Sequence, residues 1–111
     1  MTTLNKVFIL GNLTKDVTMN KEVANTSLAI NEKYKDKTKV HFVEVSAFGK
    51  IAEVLHNYCS KGSLVLIEGK LDYQTWQDKK EGKTRSALKV IAYNVQFLNS
   101  SKPKQEEEEE F

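Results

Sequence analysis

Apolar residues recur at every second position through most of this chain, and the rhythm changes only once. In VANTSLAIN (23–31), Ala24, Thr26, Leu28 and Ile30 share one side of an extended backbone, because successive side chains on a strand point to opposite faces. VHFVEVSAF (40–48), LVLIEGKLDYQTW (64–76) and TRSALKVIAYNVQFL (84–98) also read as strands, and Gly69 interrupts the second of these as at a bend or bulge. NKVFILGNL (5–13) is a short apolar run ended by Gly11 and Asn12, and it reads as a buried strand. The exception is GKIAEVLHNYC (49–59). There Ile51, Val54, Leu55 and Tyr58 fall at i, i+3, i+4 and i+7, the spacing of one amphipathic helix, which Gly62 stops. Two lysine-rich stretches without a core pattern, EKYKDKTK (32–39) and QDKKEGK (77–83), read as a loop or hairpin tip and as a hairpin tip.

Strand, strand, strand, helix, strand, strand within about 100 residues predicts an all-β chain. The order matches the oligonucleotide-binding (OB) fold, a five-stranded Greek-key barrel, here with one α-helix between strands three and four. Residues 1–98 form the barrel domain, and 99–111, where the apolar pattern stops, form a short disordered acidic tail. A chain of 111 residues supports one modest core. No apolar run is long enough for a membrane span and no secretory leader is visible, so a cytoplasmic protein is expected. Cys59 is the single cysteine and excludes an internal disulfide; with only His41 and His56 beside it, no metal site and no cofactor are expected. A buried, inert thiol is the simpler role for Cys59.

The third strand carries the informative side chains. Val43, Val45 and Ala47 are small and apolar and suit a barrel interior, whereas Phe42, Glu44, Ser46 and Phe48 share the opposite face. Two large rings beside a carboxylate are out of place on a solvated face unless something covers them. The fourth strand repeats this: Val65, Ile67 and Leu71, with Gly69 among them, make an inner face, and Trp76 is in phase with Leu66, Glu68, Lys70, Asp72 and Gln74. Tyr34 lies between Lys33 and Lys35, with Lys37 and Lys39 following. Rings among lysines suit single-stranded nucleic acid, whose unpaired bases lie flat on aromatic faces while lysines meet the phosphates; each stacked base is worth roughly 1–3 kcal/mol. The same pattern suits rings that fill a subunit interface or, for Trp76, cap the barrel end.

Charge is divided along the chain. Residues 1–101 carry 15 Lys+Arg against 10 Asp+Glu, while residues 102–111 carry two lysines against five glutamates. A basic body points to a polyanionic partner, and a terminal block of like charge to an interaction tail.

NKVFILGNLTKD (5–16), SLAINEKYKD (27–36), FVEVSAFGKIAEV (42–54), KGSLVLIEGKL (61–71) and TW (75–76) together resemble the bacterial single-stranded DNA-binding protein (SSB) family. The pairing of FGKIAE with KGSLVLIEG is the most specific of these likenesses. The resemblance implies an OB fold, assembly as a homo-oligomer with a tetramer favoured, and roles in DNA replication, recombination and repair in a bacterial or phage-encoded setting. It implies base stacking by Tyr34, Phe42, Phe48 and Trp76, and backbone contacts by Lys6, Lys33, Lys35, Lys50, Lys61, Lys70 and Arg85. It also implies that the tip formed by Glu106, Glu107, Glu108, Glu109, Glu110 and Phe111 docks replication and repair enzymes, since a terminal residue offers a ring and a free carboxylate together. The chain departs from the family in several places: Tyr34 and Phe42 stand where many relatives have tryptophan; the segment between Tyr34 and Phe42 is shorter, which predicts a stunted hairpin arm; Val43 replaces a histidine common at a subunit contact; the linker before the tip is short; and the tip has glutamine and glutamates where isoleucine and proline would stand.

No catalysis is expected. The only carboxylates in phase with the rings are Glu44, Glu68 and Asp72, whose neighbours are lysines and aromatics rather than metal ligands. Two other readings stay open: an OB-fold replication-restart accessory protein working mainly through protein contacts, and an RNA-binding OB protein, because stacking does not read the 2′-hydroxyl.

Overall fold

A computed structural model describes residues 2–99 of the chain. Its elements are β1 (Val7–Leu13), β2 (Thr18–Asn20), β3 (Val23–Tyr34), β4 (Lys37–Phe48), α1 (Gly49–Tyr58), β5 (Leu64–Asp78) and β6 (Lys83–Asn99). β1 pairs with both β3 and β5, so β1, β3, β4, β6 and β5 close into a barrel. The neighbours are antiparallel except β4 and β6, which run parallel through Val45↔Val90 and Ser46↔Ile91. β2 is a three-residue addition on the edge of β3, too short to show a period in sequence.

The core follows the strand alternation. Leu28 of β3, Val45 and Ala47 of β4, Val65 and Ile67 of β5 and Val90 of β6 point inward and are buried. α1 adds Ala52 and Leu55, and Cys59 is buried directly after it. The helix starts where the Gly49 N–H donates to Glu22 O at 3.1 Å, and the loop behind it is held by Gly62 N–H to Leu13 O at 2.9 Å. Gly62 has φ +95, a conformation that favours glycine. Tyr58 departs from the expected apolar stripe: it is exposed, with its ring tilted against Phe97 at a centroid distance of 6.0 Å.

One further expectation is corrected: β1 is not buried on both sides, because Phe8 and Leu10 point outward and are exposed. Of the two readings of residues 32–39, the hairpin tip is the one that forms: β3 and β4 stay paired out to Tyr34↔Lys37, leaving a two-residue turn at Lys35 and Asp36. Lys35 takes φ 56, where a side chain is strained by roughly 1–2 kcal/mol.

β5 and β6 also extend past the barrel as a two-stranded arm, paired to Asp78↔Lys83. Their register shifts between Glu68 and Gly69, and a Cβ on Gly69 would fall onto the Ile91 carbonyl oxygen. Only a glycine lets the strands approach so closely there. β1 stops pairing with β5 at Val7↔Gly69 whereas β4 still pairs with β6 at Val45↔Val90, so Leu71 is 43% exposed although its partner Val90 is 1% exposed.

Candidate nucleic-acid interface

All four rings singled out by strand phase and lysine context stand in solvent: Tyr34 and Phe42 are each 70% exposed, Phe48 52% and Trp76 49%. β4 places Phe42 and Phe48 six residues apart on its outward face. Phe48 also precedes the first helical residue and has an extended backbone, so its position is set by the strand-to-helix junction. Trp76 lies on the β5–β6 arm, opposite Arg85. Tyr34 does not join these three on one face. It shares the phase of Leu28 and Ile30, whereas Phe42 pairs with Ala29 on the other phase, so the β3–β4 arm presents one ring on each side.

The expected phosphate contacts divide by environment. Lys35 holds its ammonium 5.4 Å from the Tyr34 ring centroid, a cation–π geometry that keeps a positive charge beside this exposed ring. Lys33 is exposed on the same arm, opposite Thr38. Lys50, in the first turn of α1, borders a shallow recess with Met19, Lys21, Glu22 and Glu53. The Lys61 backbone N–H donates to Asp16 Oδ1 at 2.8 Å, and Lys70 is half-buried opposite Ile91.

Lys6 and Arg85 are engaged with carboxylates. Lys6 Nζ lies 2.7 Å from Glu68 Oε2, and the hydrogen bond and charge of Glu68 raise the ammonium above its ordinary value. Arg85 bonds Asp78 Oδ2 at 3.0 Å and Glu81 Oε1 at 2.9 Å, which fixes the guanidinium at the arm's tip.

Several exposed groups were not singled out in sequence. Phe8, Tyr58, Tyr73 and Tyr93 are exposed rings, and Leu10 faces Leu66 across the β1–β5 ladder. Lys89 on β6, half-buried, carries no local sequence signal either; its ammonium donates to Ser46 Oγ at 3.1 Å. The acidic tip, residues 106–111, lies outside the described residues. Among the described residues no group of three or more His, Cys, Asp or Glu could hold a metal ion, and no helix is long and apolar enough to cross a membrane.

The profile of the single-strand binding protein family matches residues 4–98. A single-stranded DNA-binding protein of Aquifex aeolicus is 42% identical over 120 residues, covering 96% of this chain and 80% of that protein. One of Helicobacter hepaticus is 39% identical over 106 residues; these cover 86% of this chain and 62% of that protein, a little under two thirds of its length. Among solved structures, the Plasmodium falciparum SSB complex with ssDNA superposes with a TM-score of 0.77 at 24% identity, covering 89% of this chain and 98% of that one. That likeness confirms the OB barrel.

Proposed function

The chain belongs to the single-strand binding protein family, and from that premise we propose that it binds single-stranded DNA without regard to sequence. The observation that carries this reading is the exposure of Phe42, Phe48, Trp76 and Tyr34 on strand faces that also bear lysines. Unpaired bases stack on these rings, and each stacked base contributes roughly 1–3 kcal/mol whatever its identity. Lys33, Lys35, Lys50, Lys61 and Lys70 meet phosphates, with Lys6 and Arg85 joining once their carboxylate partners yield. No step of catalysis is involved, as befits a family of binding proteins.

The chain acts as a homo-oligomer in this reading, with a tetramer favoured. Phe8 and Leu10, with Leu66 opposite Leu10, leave an apolar strip on the outside of β1 and β5, and a second copy of the chain covers it. In a bacterial or phage-infected cytoplasm it shields unpaired DNA during replication, recombination and repair. Glu106–Glu110 steer, and Phe111 docks, partner enzymes: an acidic run followed by a ring fits an apolar pocket rimmed by basic side chains.

The direct test is titration of the full chain with oligo-dT and a matched RNA, followed by quenching of Trp76, the only tryptophan. Saturable quenching that is stronger for DNA supports the reading; preference for RNA would move it to the RNA-binding alternative, and no quenching or mobility shift with either would remove it. For the tip, a tail peptide with and without Phe111 is titrated against a partner nuclease or helicase, and equal affinities would discard docking.

A further inference from the structure

Three strands meet at one polar chain of contacts. The Lys89 ammonium of β6 donates to Ser46 Oγ of β4 at 3.1 Å, and that hydroxyl donates to Asn25 Oδ1 of β3 at 2.6 Å. Ser46 is 3% exposed, and its one hydroxyl hydrogen is committed to Asn25, so its lone pairs face the lysine. The residue opposite Lys89 in the antiparallel ladder is Asp72, the obvious ion partner. Asp72 Oδ2 instead accepts from Gln74 Nε2 at 2.9 Å. None of the ion pairs among the described residues includes Lys89, in contrast to Lys6 and Arg85. A half-buried ammonium with three donors and one neutral acceptor retains an unbalanced positive charge.

Its position gives that charge a use. Ser46 is two residues from Phe48 on the same outward face of β4, roughly 6.5 Å along the strand. On the other side, Asp72 and Gln74 lead along β5 to Trp76 in the same phase. We propose that Lys89 is a phosphate anchor joining the β4 rings and Trp76 into one continuous track for single-stranded DNA, with Ser46 and Asn25 as positioning residues. This rests on the DNA-binding reading above. Because Asp72 and Glu44 share the face, a free phosphate is repelled; the anion that fits is a phosphodiester already tethered by stacked bases on either side.

Lys89→Gln keeps a donor for Ser46 and removes the charge. Titrations of the full chain with oligo-dT over a salt series are expected to give a log–log slope shallower by about 0.7 than wild type, one phosphate fewer neutralised. Lys89→Arg is expected to restore it. A purely structural Lys89 would lower the melting temperature and leave the slope alone. In the unaltered chain, acetylation by an amine-reactive ester, read by mass spectrometry, is expected to modify Lys89 several-fold more slowly under saturating oligo-dT; this arm does not depend on any variant folding. An unchanged slope in a folded Lys89→Gln chain, or Lys89 acetylation indifferent to oligo-dT, overturns the anchor and leaves DNA binding standing. A wild-type chain that does not bind oligo-dT overturns both.

Discussion

Lys6 and Glu68 are joined across the β1–β5 ladder at 2.7 Å, and the same ammonium lies 5.8 Å from the Phe8 ring centroid. The pair therefore sits on the strip assigned to a second copy of the chain, with β3 on one side and β5 and β6 on the other separating β1 from β4.

The pair makes alkaline stability a reporter of itself. Glu68, first by its hydrogen bond and then by its charge, holds Lys6 above its ordinary pKa of 10.5. An ammonium whose pKa rises on folding adds stability that is complete below 10.5 and fades as pH climbs through the folded-state value. Thermal melts between pH 9 and 12 should decline more steeply for wild type than for Glu68→Gln. Parallel declines would show that the pair is not formed in solution.

Phe48→Ala and Trp76→Ala are each expected to weaken oligo-dT binding by about 1–3 kcal/mol. Both rings are about half exposed, so melting temperatures should move little. Mobility-shift titration measures the first effect and circular dichroism the second. A Trp76→Ala chain that binds as wild type would take the β5–β6 arm out of the interface.

Lys35→Gly separates stability from binding. Glycine relieves the positive φ at the turn and should stabilise the chain by up to about 1 kcal/mol, less its own entropic cost. The cation beside Tyr34 is lost at the same time, so the oligo-dT salt slope should become shallower. Denaturant midpoints and salt-series titrations, done on one preparation, test both signs.

Phe8→Lys and Leu10→Lys introduce charge into the apolar strip of β1 while leaving the inward side chains Ile9 and Leu13 in place. Solution mass by light scattering should fall toward the monomer in either variant. A mass unchanged from wild type would mean that copies associate through another surface.

Strand phase makes the sidedness of the candidate interface legible: it separates the buried Val45 and Ala47 from the exposed Phe42 and Phe48, and it puts Trp76 on the outward phase of β5. It failed where burial and period part company. Leu71 keeps the inner phase of β5, but β5 has by then run past the end of its pairing with β1, so the phase no longer means cover. Phe8 and Leu10 belong to a strand apolar on both faces, which an isolated sequence cannot distinguish from one buried on both. Residues 32–39 are polar apart from Tyr34, so no hydrophobic period marks them as extended. The Lys89–Ser46–Asn25 chain joins residues 43 and 21 positions apart, a contact that depends on how the strands are ordered in the sheet and not on any local pattern.

Along one side, the cylinder is fastened by a hasp instead of a zip. Among the described residues, Val45↔Val90 and Ser46↔Ile91 are the only parallel pairs linking β4 to β6. A polymer laid from Ser46 to Lys89 straddles that clasp and ties its two walls together. Occupancy should thus be felt as rigidity, with amide exchange at Val90 and Ile91 slowing when the site is filled.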